Sequence, residues 1–243
     1  MIAADLPFQD GSPIAIGGRG WLAVLGATFL GAALLLTPWL PPAGLVVAFV
    51  PAILFVGVPL AGLAAVAGRH WTALFRRYGP KALGQSLLFA ILTISASLAV
   101  GLAVQQVAPV AANPVAGAIA GFAGADLPAF LARTFIQLIG EEIFTILPLL
   151  AVLWFSTHRL GLSRLWGIAV AVAVSTILFS ALHLPTYDWN VVQCLGIIGT
   201  ARLVLTLSYL WTRNLWVSAG AHIMNDWSIF LVAFAGSHLP AGA

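Results

Sequence analysis

Residues 138–150 read LIGEEIFTILPLL, and that stretch decides how the chain must fold. Glu141 and Glu142 stand side by side in an apolar run over 128–156. Such a run can cross a bilayer, whose hydrocarbon core takes about 20 helical residues. An ionised carboxylate in hydrocarbon is costly, so acids at this depth face a protein interior or a functional pathway rather than lipid. The pair therefore calls for a bundle in which other helices surround it and bring it partners.

The rest of the chain agrees. Of its 243 residues 61% are hydrophobic and 7% charged, and the mean hydropathy is +1.05, whereas about a quarter of a soluble domain is charged. The expected fold is all-α, a polytopic membrane bundle of about seven transmembrane helices, near 21–40, 43–68, 83–107, 128–156, 166–184, 191–211 and 216–235. Residues 1–20 read as an N-terminal tail, 21–235 as a single transmembrane domain and 236–243 as a C-terminal tail. The start carries Asp5, Asp10 and Arg19 with Gly and Pro, unlike the basic start and apolar core of a cleaved signal peptide. Cys194 is the only cysteine, which excludes an intrachain disulfide and any CxxC metal or redox motif.

A net charge of +3 resembles a nucleic-acid signal until the basic residues are located, and no nucleic-acid partner is expected. Arg69, Arg76, Arg77 and Lys81 lie in GRHWTALFRRYGPKALGQ (68–85) around Trp71, Phe75 and Tyr78, the composition of an interfacial helix. Arg159, Arg164 and Arg213 fall on the same side as Arg19 if the spans alternate, and the opposite loops carry Asp126 and Asp188. This asymmetry predicts a cytoplasmic N-terminus and an outer C-terminus, in a bacterial inner membrane. Trp residues near span ends read as interface anchors. TPWLPPAG (37–44) reads as a tight turn, and APVAANPVAGAIAGFAGADLP (108–128) as a long outer loop.

At membrane depth remain Glu141, Glu142, Asp226 and Arg202, with Arg133 near enough to a helix end to snorkel. His183 stands late in the fifth span, in LFSALHLP, and His222 in the seventh, in AGAHIMNDW, with Asp226 one helical turn further on the same face. Each of these has a plain reading: an ion pair or protonated acid for the glutamates, a satisfied core histidine for His183, a local hydrogen bond for His222 and Asp226. Their company on three helices favours one shared site, since each alone would be a separate cost. His70, His158 and His238 lie in loops or the tail and read as solvated. The chemistry suits hydrolysis. A buried glutamate can take a proton from water and return it to a leaving amine, or two histidines and a carboxylate can hold a zinc ion with a position open for water.

The ordered trio EE at 141–142, FSALH at 179–183 and HIMND at 222–226 resembles the CPBP family, the CAAX-protease and bacteriocin-processing (Abi) intramembrane proteases, whose pattern is EExxxR, FxxxH and HxxxN or HxxxD. The resemblance covers about 135–230, within a core of 128–235. It implies an intramembrane endopeptidase that cuts a peptide or membrane-anchored protein near the cytoplasmic face. Glu141 would activate water with Glu142 as its partner, and His183, His222 and Asp226 would position the water or stabilise the oxyanion. Phe179 would pack the site. A metal, if used, would be held by Glu141, His183 and His222. One position departs from the pattern: the motif arginine should fall at 146, where this chain has Ile146. That departure keeps open a catalytically silent member acting as a scaffold or assembly factor for another membrane protein. A proton-coupled transporter is a further reading, opposed by the lack of an evident inverted repeat.

Arg202, mid-span in VVQCLGIIGTARLVLTLSYLW (191–211), is the expected replacement for the missing arginine. It must pair with Glu141, Glu142 or Asp226, best as a bidentate fork. The helix ruler leaves one difficulty, because His183 lies far from the cytoplasmic end of its span and His222 close to it, a mismatch of roughly 10–15 Å. A tilted helix or a buried connection at 212–216 would close it.

Overall fold

A computed structural model describes residues 6–40 and 44–238, with side chains for all but 44–46. The helices are α1 (Gly18–Leu36), α2 (Gly44–Ala67), α3 (Pro80–Gln105), the short α4 (Pro114–Ala120), α5 (Asp126–His158), α6 (Arg164–Leu182), α7 (Val191–Thr212) and α8 (Leu215–His238). Among the described residues, six helices are long and apolar enough to cross a membrane: α1, α2 with the turn after it, α3, α5, α6 and α7. The seventh expected span is α8, 24 residues long, whose polar His222, Asn225 and Asp226 lower its apolarity. The protein is an all-α membrane helix bundle.

Two expected segments differ. Gly68, in the left-handed region at φ 55°, ends α2. The expected interfacial helix is instead a 3-10 turn over Gly68–Leu74 followed by chain without regular structure to Gly79. The outer loop contains α4, begun by Asn113, whose side-chain oxygen accepts from the Val115 N–H at 3.0 Å. The N-terminal segment is no free tail over its described part: Leu6, Phe8, Gln9 and Ile16 are buried, and Gln9 Nε2 donates to the Leu150 carbonyl at 3.0 Å. The expected turn at 37–44 and the last residues of the C-terminal tail lie partly outside the described residues.

The core is built around α5. Its 33 residues extend about 50 Å at about 1.5 Å per residue, and from Glu142 to Ala151 every side chain is buried. A helix apolar all round belongs inside a bundle, and α1, α2, α6 and α8 pack against it. The outer helices turn apolar residues such as Leu22, Leu87, Ile91 and Ile177 outward, as a lipid environment requires. Gly140, one residue before the glutamate pair, lets α2 approach closely, since a Cβ there would lie 2.5 Å from the Phe55 ring.

Two local features aim the site residues. In α7, Cys194–Ile198 form a π-turn, and the extra residue of such a turn rotates all that follows by about 100°. The helix then runs on through Gly199–Thr212 with Arg202 fully buried. At its end Arg213 adopts the left-handed conformation and Asn214 opens α8, its side-chain oxygen accepting from Trp216 N at 3.2 Å and Arg76 N at 3.0 Å. Asn214 and Leu215 are buried, so α8 begins inside the protein. Thr212 and Arg213 are half-buried and Trp216 is exposed, so the connection at 212–216 is buried only at its centre.

Candidate active site

The site forms where α5, α6, α7 and α8 meet. Glu142 is its fixed centre. Fully buried, its carboxylate accepts from Arg202 Nη1 at 2.6 Å on Oε1 and from Nη2 at 2.9 Å on Oε2, a bidentate fork across two helices. The His222 Nδ1–H donates to the same Oε1 at 2.9 Å. Arg202 is further held by Nε donating to Thr206 Oγ1 at 3.3 Å and by the Phe179 ring, 5.1 Å from the guanidinium carbon. Arg202 thus pairs with one of the three acids expected for it, and position 146 holds a buried Ile146 in the apolar cluster with Ile143 and Leu147.

Glu141 faces elsewhere. One helical position on from a fixed neighbour, it lines a cavity of about 120 Å³ together with Gln137, Phe55, Phe144, Phe179 and His183. Its Oε1 accepts from Gln137 Nε2 at 3.0 Å, and its Oε2 lies 3.8 Å from His222 Nε2. His222 Nε2 is also 3.7 Å from Asp226 Oδ1, which accepts from Asn225 Nδ2 at 2.8 Å. One imidazole therefore touches all three acids, with Nδ1 committed to Glu142 and Nε2 turned to Glu141 and Asp226.

His183 closes α6 on the cavity side. The Phe179 carbonyl, which can only accept, lies 2.9 Å from Nδ1, so Nδ1 carries the proton and Nε2 is the free ring atom. The Phe179 ring touches both imidazoles, with centroids 4.7 Å from His183 and 6.2 Å from His222, so the two histidines reach one site as its neighbours rather than as partners of each other. In the loop after His183, burial pushes the Tyr187 hydroxyl up to about 12, with the Asp226 charge adding to the effect, so it is a neutral donor at physiological pH.

All seven expected site residues, Glu141, Glu142, Phe179, His183, Arg202, His222 and Asp226, lie in this region. Sequence reading missed Gln137, Asn225 and Thr206. Gln137 stands one turn before Glu141 on an apolar helix, which was a usable signal; Thr206 had none, because a threonine in a span commonly bonds only its own backbone. Among the described residues no group of three or more His, Cys, Asp or Glu side chains is arranged to hold a metal ion. Glu141, His183 and His222 are the residues that would hold a metal, and no chemical step below is routed through one.

Residues 123–228 match the family model described as Type II CAAX prenyl endopeptidase Rce1-like. The matched segment is similar to that family and contains every one of the seven residues. No curated protein and no solved structure matches the chain.

Proposed function

We propose that the protein is an intramembrane peptidase of the CPBP type that hydrolyses a peptide bond in a membrane-anchored peptide or protein, with Glu141 as the base that activates water. The observation that carries this reading is the division of labour in the glutamate pair: Glu142 is saturated by Arg202 and His222, whereas Glu141 opens on a cavity shared with His183. Glu141 takes a proton from water as the water oxygen bonds to the peptide carbonyl carbon. The C–N bond then breaks, and Glu141 returns the proton to the leaving amine. The free Nε2 of His183 accepts a hydrogen bond from the attacking water and orients it, and His222 offers its Nε2–H to the carbonyl oxygen as it becomes negative. Glu142, Arg202 and Asp226 orient His222, and Phe179 holds the two imidazoles apart.

The prenyl endopeptidase likeness suggests a substrate class for the first assay, a peptide with a prenylated cysteine a few residues before its C-terminus. Purified full-length protein in lipid nanodiscs should release the residues beyond that cysteine, seen by mass spectrometry, and Glu141→Gln should not. A divalent metal such as zinc, held by Glu141, His183 and His222, is the metal-assisted form of the same proposal. Loss of cleavage after chelation with recovery on zinc addition would establish it. Ile146 in place of the motif arginine favours a second reading, a silent scaffold for another membrane protein. Stoichiometric recovery of such a partner by the wild type and by Glu141→Gln alike, without cleavage of any substrate tried, would support that reading.

A further inference from the structure

A second concave feature lies away from the site, where the chain enters α3 and leaves α7. This groove, about 300 Å³, is lined by Arg76, Arg77, Lys81 and Gln85 on one side and Thr212 and Asn214 on the other, with no carboxylate among its lining residues. The Arg76 N–H bond to Asn214 ties its two walls together, so the cations stand on a fixed frame.

Directly below, the groove opens on an apolar wall. Lys81, Gln85, Leu88 and Leu92 follow at spacings of four, three and four residues and so share one face of α3. Leu88 and Leu92 are each 44% exposed, and Trp211, next to Thr212 and set edge-on against Phe89, is 65% exposed. From Lys81 to Leu92 the helix descends about 16 Å, a depth that acyl chains occupy.

We propose that this groove binds one anionic phospholipid, its phosphate against Arg76, Arg77 and Lys81 and its acyl chains along Leu88, Leu92 and Trp211. Three cations without an acid suit a headgroup of net negative charge; a zwitterionic headgroup would set its own ammonium beside them. The apolar wall continuing from the groove selects a lipid over a soluble phosphate, which would use the cations alone.

The test uses full-length protein in detergent, exchanged into mixed micelles holding equal phosphatidylglycerol and phosphatidylcholine, with retained lipid counted by native mass spectrometry. The expected result is one phosphatidylglycerol per chain, and a roughly tenfold or greater loss of its retention in Arg77→Gln/Lys81→Gln. The charge-matched Arg19→Gln/Arg69→Gln should retain it. Brominated phosphatidylglycerol should quench wild-type fluorescence more than that of Trp211→Phe. Equal retention of the two lipids, or retention unchanged in Arg77→Gln/Lys81→Gln, would overturn the proposal. So would displacement of the lipid by millimolar inorganic phosphate, which would mark a free-phosphate site.

Discussion

At the scale of single residues, the two adjacent glutamates have opposite environments, and their variants should fail in different ways. Glu141→Gln keeps the shape and removes the base, so peptidase turnover should fall by about 10²- to 10⁴-fold with the melting temperature little changed; full activity in that variant would end the assignment. His183→Ala and His222→Ala should each be inactive in the same assay. His70→Ala and His238→Ala should remain active, since the former lies in the 3-10 turn and the latter is exposed at the end of α8. Arg202→Leu leaves the buried Glu142 charge without its fork, at a cost of about 3–5 kcal/mol. Removing both partners in Glu142→Leu/Arg202→Leu should recover part of that stability in thermal unfolding, though not activity, and a double variant less stable than either single one would contradict the pairing argument.

At the scale of elements, close approach matters most where α2 meets α5. The hydrogen on Gly140 is all that fits against the Phe55 ring, and that ring is also a wall of the cavity beside Glu141. Gly140→Ala must push Phe55 aside, an overpacking cost of about 1–3 kcal/mol. The expected outcome is a lower melting temperature together with reduced turnover, and Phe55→Leu in the same chain should relieve both. The π-turn in α7 acts at the same scale. It decides which face carries Arg202, and apolar periodicity alone does not reveal it, because Cys194, Leu195, Ile197 and Ile198 suit an ordinary helix equally well.

For the whole molecule, the distribution of arginines predicts an orientation in the membrane that helix packing leaves open. A cysteine placed at Ser163, in the α5–α6 loop, should react with a membrane-impermeant thiol reagent only from the cytoplasmic side, and one at Asp188 only from the outside. Cys194 is buried and should contribute little background. The opposite pattern would reverse the topology and move the proposed lipid site to the outer leaflet. The buried N-terminal segment also belongs to this scale: Phe8, set edge-on at 6.3 Å from Trp21, joins a cluster that includes Leu147 and Leu150 of α5.

The all-α membrane class and the approximate limits of the long apolar helices were legible in the sequence, because hydrophobic length and the cost of charge in hydrocarbon are local properties of the chain. The need of Arg202 for an acid was legible on the same ground. Which acid it meets was not: Glu141 and Glu142 are adjacent in sequence but about 100° apart around α5, and only the packing of α7 and α8 turns one into a saturated anchor and leaves the other facing the cavity. The start of α8 likewise follows from a tertiary contact, the Asn214 side chain held against the Arg76 backbone. A hydropathy ruler weighs side chains one by one, whereas α8 begins where the Asn214 side-chain oxygen accepts from the Trp216 N–H and the Arg76 N–H at once.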